Sequence, residues 1–97
     1  MAGKLTDVER QSALSTLPGW RFDEKANALV KEFKFPTFVE AFGFMARVAL
    51  LVQAADHHPD WSNSYNRVTV GFSTHDAGGV TAKDAELAGK VEVLQRS

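Results

Sequence analysis

The chain has 97 residues, enough for one domain over 1–97 that buries roughly two-thirds of the surface its unfolded form exposes. It contains no cysteine, which excludes disulfides, zinc–thiolate sites and thiol nucleophiles. Its formal net charge is −1 with acids and bases interleaved, so no basic block is available to bind a nucleic acid directly.

The opening segment, Met1-Ala2-Gly3-Lys4-Leu5-Thr6-Asp7, lacks the apolar run of a secretory leader, and glycine is not its second residue as myristoylation requires. A cytoplasmic location is the expectation that follows. Thr6 is placed to cap a helix reaching Leu17, with Asp7 and Glu9 in the first turn where the helix dipole favours acids. Leu5, Val8, Ala13, Leu14 and Leu17 would form its apolar stripe, and Pro18-Gly19 would end it. Trp20 to Phe22 reads as a short strand, Asp23 to Asn27 as a turn, and Leu29 to Phe35 as a second strand. Leu29, Phe33 and Phe35 share a face of that strand, which Lys31 interrupts.

Pro36 suits a helix start, and the helix predicted from Thr37 to Asp56 is the longest element. Between Phe38 and Val52 only Glu40 and Arg47 are charged, and with Gly43 they make one narrow stripe. Charges and Gln53 interrupt the apolar run, which makes it a poor membrane span. One sheet covers one side of a helix and not most of its circumference. A homo-oligomer packed helix on helix is therefore expected. Asp60 to Ser62 reads as a strand and Asn63-Ser64 as a turn. Tyr65 to Thr74 alternates, with Val68, Val70 and Phe72 facing a core. Asp76 to Gly79 is a loop, and Thr81 opens a last helix with Leu87, Val91 and Leu94 at helical spacing. The order helix, two strands, helix, two strands, helix predicts an α+β fold, a four-stranded antiparallel sheet with three helices on one face.

All three histidines fall between His57 and His75. Neighbours on a helix diverge by roughly 100°, so His57 and His58 serve one pocket only where the backbone turns irregular. Pro59 promotes that break by disfavouring the helical region at His58. At the helix C-terminus the dipole favours protonated imidazole, which suits general acid–base work. His75, leaving the strand two residues after Ser73, could meet the pair by topology. The bland alternative is a helix stop at His-His-Pro with His75 on the surface. Three imidazoles and a carboxylate also raise metal binding, against which stand the adjacency of two histidines and the lack of a His-x₃-His spacing. Asp84 completes a capping-box pattern with Thr81, which is the favoured reading, and it could also anchor a histidine or a ligand. Trp61 and Tyr65 could stack on a flat heterocycle or close the core. No nucleophile elbow or phosphate loop is present.

His57-His58-Pro59, Trp61, Tyr65, Thr74-His75, Gly79, Thr81, Asp84 and Leu87-Ala88, with Leu17-Pro18-Gly19-Trp20 upstream, resemble the signature of the pterin-4a-carbinolamine dehydratases. The likeness spans nearly the whole chain. It implies elimination of water from 4a-hydroxytetrahydropterin to give quinonoid dihydropterin, in tetrahydrobiopterin recycling, with no metal or organic cofactor. It further implies His58 as general acid at the departing hydroxyl, with His57 and His75 holding the pterin and sharing proton transfer. Asp84, Trp61, Gln53 and Thr74 would bind or position the substrate. Many members have glutamate where this chain has Gln53, which hydrogen-bonds without charge and would leave His57 lacking an acidic neighbour. The resemblance also implies homodimers or homotetramers, the latter through a bundle of the long helix. An oligomeric pterin-binding or protein-binding regulator with weak turnover is the alternative function.

Overall fold

The computed structural model describes residues 3–95; the leader and myristoylation readings drawn on Met1 and Ala2 lie outside them. The elements in order are α1 (Asp7–Leu14), β1 (Arg21–Asp23), β2 (Ala28–Lys34), α2 (Phe38–Ala55), β3 (Asp60–Ser64), β4 (Arg67–Phe72) and α3 (Ala82–Gln95), with a 3₁₀ turn at His75–Ala77. The strands form one antiparallel sheet in the order β1-β2-β4-β3. This is the expected α+β arrangement.

Helix α1 begins at a full capping box. The Thr6 hydroxyl accepts from the Glu9 N–H, and the Glu9 carboxylate accepts from the Thr6 N–H. It stops at Leu14, earlier than predicted, and Leu17 is buried from the turn beyond it. Val8 is 80% exposed and drops out of the expected stripe. In the β1–β2 turn, Asp23 accepts from the Ala26 N–H at 3.1 Å and pairs with Arg21, which holds its carboxyl below the usual range.

The core lies between the sheet and the helices. Leu29 and Phe33 of β2 and Val68, Val70 and Phe72 of β4 face Ala41, Phe44, Val48 and Val52 of α2 and Leu87, Ala88 and Val91 of α3. Burying each of the larger side chains contributes about 1.5–3 kcal/mol. Lys31 lies between Leu29 and Phe33 on β2 and has a partner there. Its ammonium pairs with Glu92 of α3 and donates to the Pro18 carbonyl, and Trp20 Nε1 donates to the same carboxylate at 2.9 Å.

Against the expectation of a poor membrane span, helix α2 is long and apolar enough to cross a membrane by length and composition, its few charges notwithstanding. Four of its side chains are nevertheless in the core of a sheet-backed domain. Most of its remaining circumference is open, with Val39, Phe42 and Leu50 at 77%, 59% and 75% exposure. Two boundaries differ from expectation at the β3–β4 hairpin. Strand β3 runs on to Ser64, and Tyr65, predicted to begin the next strand, is instead the first loop residue with φ +52°. The Asn63 amide donates to the Tyr65 and Arg67 carbonyls, which fixes this turn.

Candidate active site

The site is built where α2 ends. Asp56 takes a left-handed conformation, φ 51° and ψ 44°. The Asp56 N–H donates to the Gln53 carbonyl at 3.2 Å and the His57 N–H to the Val52 carbonyl at 3.1 Å. Together these form a Schellman termination, with aspartate in the position that glycine usually holds. The turn breaks helical periodicity between Gln53 and the histidines, and Pro59 prevents the helix from resuming.

The two imidazoles consequently take different partners. His57 lies with its ring 6.4 Å from and nearly parallel to Phe72, its Nε2 2.6 Å from Asp84 Oδ1. His58 is exposed, and its Nε2 is 2.9 Å from Gln53 Oε1. This corrects one expectation. Gln53 is the neighbour of His58 and not of His57, because the left-handed residue turns the chain back on the helix end. His57 does have an acidic neighbour, supplied by α3.

Asp84 is fully buried and performs both roles considered for it. Its Oδ2 accepts from the Thr81 N–H at 2.8 Å, which caps α3, and from the Thr74 hydroxyl at 2.8 Å. The Thr81 hydroxyl lies 2.9 Å from that of Thr74 and 3.2 Å from the same carboxylate oxygen. With these donors committed, Asp84 serves as an acceptor, so His57 Nε2 carries the hydrogen between them. In the neutral ring Nδ1 is then the acceptor, the nitrogen left for chemistry. No buried side-chain nitrogen or oxygen lacks a partner among the described residues.

His75 starts the 3₁₀ turn, which Gly78 closes with φ +78°. That turn brings His75 to a cavity of about 280 Å³ that His57, His58, Ser73 and Thr74 also line. The three histidines, convergent only by topology in the sequence, therefore border one space. A second cavity of about 400 Å³ adjoins it through His57, Thr74 and Asp76. Trp61 borders neither. It sits opposite Val70 on β3 and packs against the core. Tyr65 is 67% exposed at the hairpin tip, away from the pocket considered for it. The residues not foreseen at the site are Asp56, Ser73 and Asp76, and Thr81 as a donor as well as a helix start. The sequence signal for the last was the pair Thr74 and Thr81 flanking a loop closed by the Thr74–Gly79 bridge.

Comparison with known proteins finds relatives of the chain along nearly its whole length. The family model described as pterin 4 alpha carbinolamine dehydratase matches residues 3–94. A Rhodopseudomonas palustris (strain BisB18) protein, provisionally named pterin-4-alpha-carbinolamine dehydratase, is 54% identical over 91% of this chain and 87% of its own length. A Rhodospirillum rubrum (strain ATCC 11170) protein with the same provisional name is 52% identical over 95% of this chain and 96% of its own. The crystal structure of a transcriptional coactivator/pterin dehydratase from Brucella melitensis superposes with a TM-score of 0.92 at 43% identity, covering 96% of this chain and 99% of that one. A pterin dehydratase-like RuBisCO assembly factor of the alpha-carboxysome shares the fold, with a TM-score of 0.69 at 22% identity over 81% of this chain and 92% of its own. The chain thus belongs to the pterin 4 alpha carbinolamine dehydratase family.

Proposed function

We propose that this protein dehydrates 4a-hydroxytetrahydropterin to quinonoid dihydropterin by histidine acid–base catalysis, in the recycling of a tetrahydrobiopterin-type cofactor. The observation that carries the reading is the convergence of His57, His58 and His75 on one cavity, with His57 fixed from behind by buried Asp84. The reaction breaks the C4a–O bond and the N5–H bond. It needs a proton delivered to the leaving hydroxyl and a proton accepted from N5, and both can come from imidazoles. His58, exposed and held only by a neutral amide, is the general acid at the hydroxyl. His57, whose Nδ1 is left open by the Asp84 contact, and His75 across the cavity hold the pterin and share the proton from N5. Thr74 positions Asp84, and Gln53 positions His58.

The decisive measurement is dehydration of enzymatically generated 4a-carbinolamine, followed as quinonoid dihydropterin appears. Wild-type protein should accelerate it, and His58→Ala should lose about 100-fold or more. Wild-type rates in His58→Ala would remove its role, and no acceleration by the wild type would sink the dehydratase reading.

The open face of α2 supports a second component, a homo-oligomer built through that helix, dimeric or tetrameric. Val39, Phe42 and Leu50 form an apolar surface too broad for a lone subunit to leave in water.

A further inference from the structure

The dehydration chemistry uses one lobe of the cleft and leaves the other unassigned. That second lobe holds about 400 Å³ and is bordered by Lys4 and Lys83 as well as by His57, Thr74 and Asp76. Neither lysine has an ion-pair partner among the described residues. Lys4 is also held in place. The Leu5 N–H donates to the Val80 carbonyl at 2.8 Å, pinning the segment beside the α3 start. The Lys4 stem lies so close over Gly79 that a Cβ there would come within 2.9 Å of its Cδ. The carboxylates are set apart from the lysines in function: Asp84 lies behind the lining, bonded to His57, Thr74 and the Thr81 N–H at the α3 start, and Asp76 shares the border with the first lobe. The two ammonium groups border a lobe that opens directly onto the reacting space.

Pterin connectivity says what enters it. C6 is bonded to N5, the atom that gives up its proton. With C4a and N5 against the three histidines, the C6 substituent leaves the ring one bond from the reacting edge. We propose that the second lobe receives this C6 side chain, and that Lys4 and Lys83 select a chain bearing an anion, either a phosphate ester or a carboxylate tail. The assignment rests on the dehydratase reading of the three-histidine lobe. It makes the preferred substrate a negatively charged tetrahydropterin, where the histidines alone would accept any side chain.

Calorimetric titration at low salt tests it with three probes: 7,8-dihydroneopterin, its monophosphate, and dihydrofolate, whose glutamate carries the carboxylates. At least one anionic probe should bind about fivefold tighter than dihydroneopterin, an advantage that shrinks as salt rises. Which one gains separates the phosphate source from the carboxylate source. The ratio should fall to about one in a Lys4→Gln/Lys83→Gln variant and persist in Lys4→Arg/Lys83→Arg, where charge is kept. Equal wild-type affinities, or a ratio that survives the glutamine changes, would overturn the anion lobe while leaving the dehydratase reading intact. Failure of every probe to bind would overturn both.

Discussion

His57 and His58 are adjacent in the chain, yet one is clamped to a buried carboxylate and the other rests on an exposed amide. The carboxylate contact determines a tautomer, and that can be tested. In Asp84→Asn, the amide oxygen must stay with the Thr81 N–H and the Thr74 hydroxyl, which turns its NH₂ toward His57 Nε2. His57 then accepts at Nε2 and carries its hydrogen on Nδ1, which is the acceptor in the neutral wild-type ring. Turnover should fall by about 100-fold, and nitrogen NMR of the ring should show the exchanged tautomer. An unchanged ring spectrum would dismiss the orienting role. At His58 the test is Gln53→Glu. A carboxylate there favours the imidazolium, and an acid catalyst works below its pKa and fails as pH rises through it. The alkaline fall of the pH–rate profile should therefore move up by about half a unit or more. A profile that stays in place would detach Gln53 from catalysis. The residue types of this site were readable in sequence; their pairing was not. Gln53 stands one turn before His57 on an ideal helix, and only the left-handed φ of Asp56 hands it to His58 instead.

Among the elements, β2 shows how far alternation alone can be read. Leu29 and Phe33 announced a core face, and Lys31 between them looked like a defect. Its partner Glu92 lies on α3, 61 residues away, where no local pattern could reveal it. With side chains only 19% and 11% exposed, this is a largely desolvated ion pair that also takes the Trp20 N–H. Removing one member strands the other. Glu92→Leu should cost about 3 kcal/mol in urea unfolding, and adding Lys31→Met should restore most of it. Additive losses would mean the two charges do not act as a pair. The strand edges of the β3–β4 hairpin were misplaced for a related reason. Tyr65 has strong strand propensity, and the Asn63 side chain, bonded to two carbonyls, overrides it and bends the chain early.

At the scale of the whole molecule, element order and the antiparallel α+β class were legible because they rest on local periodicity, whereas the central pairing of β2 with β4 across α2 was not. Nor was the cleft, since it joins the end of α2, the end of β4 and the start of α3. The breadth of the apolar surface on α2 was legible too, and it leads to a prediction about mass. At micromolar concentration, light scattering should give a multiple of the 10.6 kDa chain, and Leu50→Lys, adding a charge at a 75% exposed position, should lower it toward that value. A wild-type mass of one chain would end the oligomer reading. The hydropathy of α2 also has a consequence for synthesis. Its main packing partners, β4 and α3, follow it in the chain. As the polypeptide emerges from the ribosome, this helix is complete while most of the surface that will shelter it has not been made. For that interval it is a free apolar rod, long enough to be mistaken for a membrane segment. Nascent chains stopped before Arg67 would therefore depend on chaperones or aggregate without limit, whereas chains completed through α3 would associate only into the defined oligomer.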